Sequence, residues 1–332
     1  MTTTAPAFAY DRRDLTDGDL RALYEALLLP RLIEERMLVL LRQGKISKWF
    51  AGIGQEGIAV GAVRALAADE WVMPLHRNLG VFTGRGVPLG RLFAQWQGKV
   101  TGFTKGRDRS FHFGAPDHHI VGMISHLGPQ LAVADGVALA HKLDGEAKVA
   151  LAFSGDGGTS EGDFHEALNV AAVWDLPVIF VVENNGWGLS TPAGEQFRCA
   201  QLADRGVGYG MEAHCIDGNN VLEVYHTIDR LARELRERPR PVLVEAMTFR
   251  MRGHEEASGT KYVPAHLFDT WAERDPVLNF ERYLRQAGIL TEADVAAVRD
   301  QHKANIEAGL AEAFAAPAPR ADTATETGDV YA

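Results

Sequence analysis

A doubly wound α/β fold, with a mainly parallel sheet flanked by helices, is the architecture that this sequence predicts. Three observations carry that prediction. Short apolar runs of strand length, such as Val149-Ala150-Leu151-Ala152-Phe153-Ser154 and Pro177-Val178-Ile179-Phe180-Val181-Val182-Glu183, alternate with stretches at helical spacing. Gly155-Asp156-Gly157 follows the first run and Asn184-Asn185 ends the second, so a parallel sheet would set both motifs at neighbouring carboxyl ends, where such sheets bind ligands. Finally, 332 residues with 46% apolar content can hold one large α/β domain or two small ones around a sizeable core.

Residues 1–13 show no periodic pattern and are expected as a loose arm. Across 19–42 leucines recur at helical spacing, and Pro30 within that stretch predicts a kink or a division of the helix. Gly52-Ile53-Gly54-Gln55-Glu56-Gly57 opens a second helix, which runs through Leu66. The stretch 71–125 is rich in Gly, His, Arg and aromatics with weak periodicity, as functional loops are. Residues 128–143 read as an apolar helix. The strand 148–154, the glycine turn, a helix over 161–173 and the strand 177–183 follow. Ser160-x-x-Asp163 has the form of a capping box that would fix where this helix begins. A short strand, Ala213-His214-Cys215-Ile216, leads through Asp217-Gly218-Asn219-Asn220 into a helix ending near Arg236, and 241–249 is a further apolar strand. Ala316-Pro317-Ala318-Pro319 and the polar residues after it predict a disordered tail over 316–332, which leaves 14–315 as a single domain.

A net charge of −10 argues against a nucleic-acid or anionic-membrane partner. The two cysteines, Cys199 and Cys215, lack metal-ligand spacing and are expected as buried small hydrophobes in a reducing compartment. With no run of 18 apolar residues and no charged segment followed by an apolar one at the N-terminus, the protein is expected to be soluble and cytoplasmic.

A glycine-bounded turn between strand and helix lets backbone N–H groups face a phosphate. A bare carboxylate there would repel it, so Asp156 predicts a divalent cation between the two, and Mg²⁺ suits carboxylate, amide and phosphate oxygens. Either motif alone is a common turn or loop; the spacing, with 158–183 between Gly157 and Asn184, makes the pair specific. The nicotinamide fingerprint is absent, because Ser160 stands where its third glycine is needed.

These residues resemble the thiamine-diphosphate motif. With Gly54-Gln55-Glu56-Gly57, His76-Arg77-Asn78-Leu79-Gly80 and Arg252-Gly253-His254 around them, the chain is similar from about residue 23 to 307 to the α subunits of the decarboxylating component of 2-oxo acid dehydrogenase complexes, acting on pyruvate, branched-chain 2-oxo acids or acetoin. The resemblance implies the thiamine-diphosphate-binding fold. It implies that Asp156, the Asn185 side chain and the main-chain carbonyl of Trp187 hold Mg²⁺, and that Gly157 and Gly158 present N–H groups to the diphosphate. Arg77 would add a charge-assisted contact, His76 stands where many relatives have tyrosine, and Ser125 and Leu127 match positions whose backbone holds the aminopyrimidine. His254 would close over the cofactor and assist acyl transfer to lipoamide, donating or accepting a proton.

Read without the resemblance, Arg77 is a surface arginine and His254 a loop histidine, although the setting Arg250-x-Arg252-Gly253-His254 suits a basic, mobile anion clamp. His118-His119 are expected to point apart and not to be ligands; His112 and His126 either line the pocket or merely hydrogen-bond; Gln55-Glu56 is a helix-start cap or a wall of the substrate channel. Activating the cofactor needs a carboxylate against the aminopyrimidine. Nothing in the spacing of Glu56 or Glu161 sets either there, so the resemblance implies a glutamate from a separate β subunit, a heterotetramer of two α and two β chains, and a lipoyl-bearing acyltransferase as the next component. Two departures stand out. Glu255 replaces the serine that follows the loop histidine in many relatives, which excludes phosphorylation there, although Ser258 is near. Lys48 occupies a region where several relatives put an aromatic, and would favour an anionic acyl group if it faced the pocket. A non-catalytic assembly protein on the same fold is the alternative from another class.

Overall fold

The structure is a computed structural model that describes residues 6–108, 111–123 and 127–329. Helix α1 (Asp17–Arg42) begins at Thr16, whose hydroxyl accepts from Asp19 N while Asp19 Oδ2 accepts from Thr16 N, closing two otherwise free N–H groups. Pro30 does not divide it. The helix is continuous across the proline, which is buried among Leu27, Leu28, Leu32 and Ile33, so packing on several sides outweighs one missing hydrogen bond. Helix α2 (Glu56–Ala65), strand β1 (Val72–Met73) and helices α3 (Leu79–Gly84) and α4 (Leu89–Trp96) follow. The weakly periodic stretch 71–125 therefore carries short regular elements between its loops.

Next in the chain come α5 (Pro129–Asp144), β2 (Ala150–Gly155), α6 (Gly162–Val173), β3 (Val178–Asn184), a small hairpin of β4 (Trp187–Gly188) and β5 (Thr191–Pro192), and the short helices α7 (Ala193–Gln196) and α8 (Asp204–Gly208). Strand β6 (Glu212–Asp217), helix α9 (Val221–Glu237), strand β7 (Val242–Met247) and helices α10 (Ala265–Ala272), α11 (Pro276–Gln286), α12 (Glu292–Ala315) and α13 (Thr323–Gly328) complete it. The capping box expected at Ser160 does not form. A short 3₁₀ turn covers Gly157–Ser160, Glu161 is the N-cap of α6 without a side-chain bond, and its carboxylate instead accepts from Gly128 N at 2.8 Å.

The five main strands pair in parallel in the order β1-β2-β3-β7-β6. Both faces are covered, which is why β2 and β3 read as unbroken apolar runs. Leu151, Phe153, Ile179 and Val181 join the larger core under α1, α2 and α9, while Ala150, Ala152, Val178, Phe180 and Val182 join a second core under α5 and α6. The expectation of buried cysteines is corrected at both positions: Cys199 is only half-buried, and Cys215 is exposed on the edge strand β6.

The first described residues and the segment after α12 both touch the body. Phe8 is buried, Ala7 N donates to Asn279 Oδ1 at 2.8 Å, and Val100 N donates to Pro317 O at 3.1 Å. In the segment expected as a disordered tail, Arg107 meets Glu326 beside α13. Among the described residues no helix is long and apolar enough to cross a membrane.

Candidate active site

Register decides where the two glycine and asparagine motifs meet. Gly155, the last residue of β2, lies opposite Glu183 of β3, so Asp156 and Asn185 leave neighbouring strands on the same edge of the sheet. The two asparagines then divide the work. Asn184 donates its amide to buried Glu245 at 2.6 Å and accepts from Gly186 N at 3.1 Å, which fixes the turn. Gly186 takes φ +80 there, a left-handed conformation that suits glycine. Asn185 accepts from Trp187 N at 3.2 Å and borders the cavity.

Asp156 is 1% exposed, and its Oδ2 has no hydrogen-bond partner. Burial raises its carboxyl to about 6, against the pull of main-chain N–H groups of the turn and of the nearby Arg250 cation. A buried acceptor oxygen without a donor is costly unless something electropositive arrives to meet it. The backbone beside it is crowded. A Cβ on Gly157 would lie 2.9 Å from Gly188 Cα, and one on Gly158 would meet Ser154 Oγ at 2.6 Å and Leu127 Cβ at 3.3 Å. Gly157 therefore lies main chain against main chain with the β4–β5 hairpin, and Gly158 is closed in by Ser154 and Leu127, so neither position has room for a side chain.

That cavity measures about 370 Å³, within the range of cofactor clefts. His76, Arg77, Leu127, Asp156, Gly157, Gly158, Asn185, Trp187 and His254 all border it, although Asp156 and His254 are 98 positions apart. Ser125 and His126 lie outside the described residues. Arg77 is not a surface residue: it is buried, donates from Nη1 to Ala51 O at 3.0 Å, and donates from Nη2 to the carbonyl of His254 at 2.5 Å and to its Nδ1 at 3.0 Å. Burial and the neighbouring Arg250 lower its pKa to about 9, so it stays a cation at neutral pH. The same causes, burial first and then Arg77 and Arg250, lower His254 to about 3. Burial also holds His76 well below the usual histidine range, and its Nε2 has no partner. Phe50 packs edge-on against both rings, with centroids at 4.9 Å from His76 and 5.7 Å from His254.

The sequence does not single out Tyr262 or Glu183, and it marks Arg250 only as part of the basic stretch before His254. Arg250, just past β7, is 4% exposed, donates to Leu189 O and Tyr262 Oη at 2.9 Å each, and borders the cavity as a second buried cation. Tyr262 Oη also accepts from His254 N at 3.3 Å. Glu183 forms part of the wall, its oxygens accepting from Asn78 and Gln55, and burial raises its carboxyl to about 7. Only its place directly before Asn184-Asn185 could have flagged it.

Other candidates fall away. Glu56 is buried in an ion pair with Arg31 (2.5 Å) and accepts from Gly54 N; Gln55 reaches Glu183, so this pair serves structure and not the channel wall. His112 sits 3.3 Å from Asp108. His118 donates to Arg85 O, and His119, at φ +54, packs edge-on against Trp71, so these neighbours lie in a 3₁₀ turn and its left-handed cap, not on regular strand or helix. Lys48 is exposed and does not border the cavity.

Two buried cations make the cavity suit an anion, while Asp156 on the same wall needs a cation of its own. A phosphate-bound divalent ion satisfies both demands. Among the described residues no three His, Cys, Asp or Glu side chains converge on a metal position, so such an ion would depend on oxygens of its anion.

A family described as the dehydrogenase E1 component matches residues 24–322. The 3-methyl-2-oxobutanoate dehydrogenase subunit alpha of Mycobacterium tuberculosis (strain CDC 1551 / Oshkosh) is 37% identical over 278 residues, covering 83% of this chain and 73% of that protein. The 2-oxoisovalerate dehydrogenase subunit alpha of Bacillus subtilis (strain 168) is 33% identical over 312 residues, covering 91% and 93%. The mitochondrial 2-oxoisovalerate dehydrogenase subunit alpha of Homo sapiens is 33% identical over 300 residues, covering 90% and 67%.

Proposed function

We propose, from the premise that the chain belongs to the dehydrogenase E1 component family, that it is the α subunit of a thiamine-diphosphate-dependent 2-oxo acid dehydrogenase, an oxidoreductase that acts with a β subunit. One observation carries the site: the partnerless Oδ2 of Asp156, sealed in a cavity with Asn185 and the Gly157-Gly158 turn.

When bound, thiamine diphosphate supplies the nucleophilic carbon and the electron sink for decarboxylation. The chain's own residues would hold and orient it. Asp156, the Asn185 side chain and the Trp187 carbonyl are the oxygen ligands for Mg²⁺. Gly157 and Gly158 offer N–H groups to the diphosphate; Arg77, Arg250 and His76 stand around the same anion. Leu127 packs over Gly158 and supports the aminopyrimidine end, with Ser125 two residues before it. His254, which borders the same cavity, would assist acyl transfer to a lipoyl arm.

The carboxylate that activates the aminopyrimidine is assigned to the β chain. The glutamates bordering the cavity are engaged, Glu161 with Gly128 N and Glu183 with Asn78 and Gln55, while Glu56 lies outside it, paired with Arg31. For the substrate, the relatives' names favour a branched-chain 2-oxo acid over pyruvate or acetoin. The exposure of Lys48 removes the reason to expect an anionic acyl group.

The test is turnover by the chain alone and with its β chain, read as CO₂ release from 2-oxoisovalerate and pyruvate and as carbon–carbon cleavage releasing acetaldehyde from acetoin. Turnover should require both chains and be greatest with 2-oxoisovalerate. Robust turnover by this chain alone would overturn the shared-site reading, and a preference for acetoin the substrate reading.

A further inference from the structure

We propose that Arg77 is a positioning residue that fixes His254 as its neutral Nε2–H tautomer, so that the loop histidine meets its ligand as a hydrogen-bond donor and not as a base. This deepens the function proposed above and depends on it only for the ligand's identity. The argument begins with the chemistry of guanidinium, which carries five N–H donors and no acceptor. Arg77 Nη2 stands 3.0 Å from His254 Nδ1. Nδ1 must therefore offer its lone pair. A proton on Nδ1, in the other tautomer or in the imidazolium, would point one N–H at another. The single remaining ring proton belongs to Nε2.

Each side of the contact is held. Arg77 Nη2 also donates to the carbonyl of His254, and Nη1 to Ala51 O, so the guanidinium grips ring and backbone of one residue at once. Beneath it, Glu34 Oε1 accepts from Gly52 N at 2.8 Å and Oε2 from Trp49 Nε1 at 2.7 Å, which secures the segment that Arg77 binds. The loop around His254 is compact, since a Cβ on Gly253 would lie 2.6 Å from Gly259 O. The groups facing the imidazole from the packed elements are Arg77 before α3, Arg250 after β7, the neutral ring of His76 and the Tyr262 hydroxyl. Both charged ones are cations, which reinforces the neutral ring.

The consequence revises the proton-transfer role expected from the resemblance. With Nδ1 engaged and Nε2 protonated, the ring has no free lone pair to take a proton. It can donate an N–H to a phosphate oxygen or to an oxygen gaining negative charge during acyl transfer, as preorganised donors do. Accepting a proton would first require release from Arg77.

Long-range ¹H–¹⁵N spectra of the full chain with ring-labelled histidine test this without any cofactor, with His254 signals assigned by their loss in His254→Gln. The expected pattern is the Nε2–H tautomer, unchanged from about pH 7.5 to 5.5. In Arg77→Met the two ring nitrogens should average toward a tautomer mixture and the ring should titrate within that window, while Arg77→Lys, which keeps a cationic donor, should restore part of the wild-type pattern. An Nδ1–H or imidazolium pattern in the wild type at neutral pH overturns the proposal, even if both Arg77 variants fail to fold. Unchanged signals in a folded Arg77→Met do so too. Calorimetry of thiamine diphosphate with Mg²⁺ and the β chain reports separately on the function itself, so the two failures are distinguishable.

Discussion

Replacing His254 by glutamine should weaken the dependence of folding stability on acid, and the size of the effect can be worked out. The unfolded histidine takes up a proton near 6.5, whereas in the fold burial, Arg77 and Arg250 lower it to about 3. Between those values the unfolded chain binds more protons than the native one, so stability contributed by the neutral ring is present above 6.5 and lost as pH falls toward 3. At pH 5 the unfolded state has gained about 1.5 pK units, or about 2 kcal/mol. The ring is only half-buried, and solvent screening of the two arginines trims this to roughly 1–2 kcal/mol. The quantity hardly depends on the native value as long as it stays below 5. Urea midpoints followed by tryptophan fluorescence at pH 8 and pH 5 give the assay. Wild type should lose about 1–2 kcal/mol more than His254→Gln over that interval. Any constant cost of the lost Arg77 contact cancels, as do the other acidic and basic groups. Equal losses in both proteins would refute the claim that the structure keeps this ring neutral.

Asp156→Ala should abolish Mg²⁺-dependent binding of thiamine diphosphate, by at least about 100-fold in calorimetry, with the cofactor-free fold no less stable; retained metal-dependent binding would remove the carboxylate from the site. Gly157→Ala puts a Cβ 2.9 Å from Gly188 Cα, main chain against main chain. The resulting overpacking, of about 1–3 kcal/mol, should weaken cofactor binding by about 10-fold or more, whereas Gly162→Ala, where nothing lies within 4 Å, should leave affinity unchanged. Glu56→Gln leaves Arg31 with half of its buried pairing and should cost roughly 3–5 kcal/mol in urea unfolding. A selective loss of decarboxylation with little loss of stability would instead return Glu56 to the role of activating carboxylate.

Much of this arrangement was legible in the sequence because it is local. Parallel strands covered on both faces must be apolar throughout, so β2 and β3 stood out, and the turn chemistry at their ends followed. What sequence could not supply was the outcome of competition between partners. Ser160 had the form of a helix cap, but in the fold Thr159 Oγ1 donates to Asp156 O and Glu161 turns to Gly128, so the helix starts without it. Pro30 signalled a break that the packing around α1 overrides. Arg250 and Glu183 border the cavity and Tyr262 braces Arg250 and His254 beside it, through contacts as distant as Asn78 to Glu183, 105 positions apart, and no local pattern announces the meeting of Glu183 and Tyr262 with this site. The direction of Lys48 was undecidable without the fold for the same reason.

A carboxylate sealed against solvent, whose Oδ2 a bound cation would meet, also has a meaning for the lifetime of the molecule. The unfilled chain must be a less durable species than the filled one. At free ligand about 100 times its dissociation constant, mass action would add about 2.7 kcal/mol to the folded form. Vitamin supply would then set how many copies escape unfolding and degradation, as well as how fast each of them turns over.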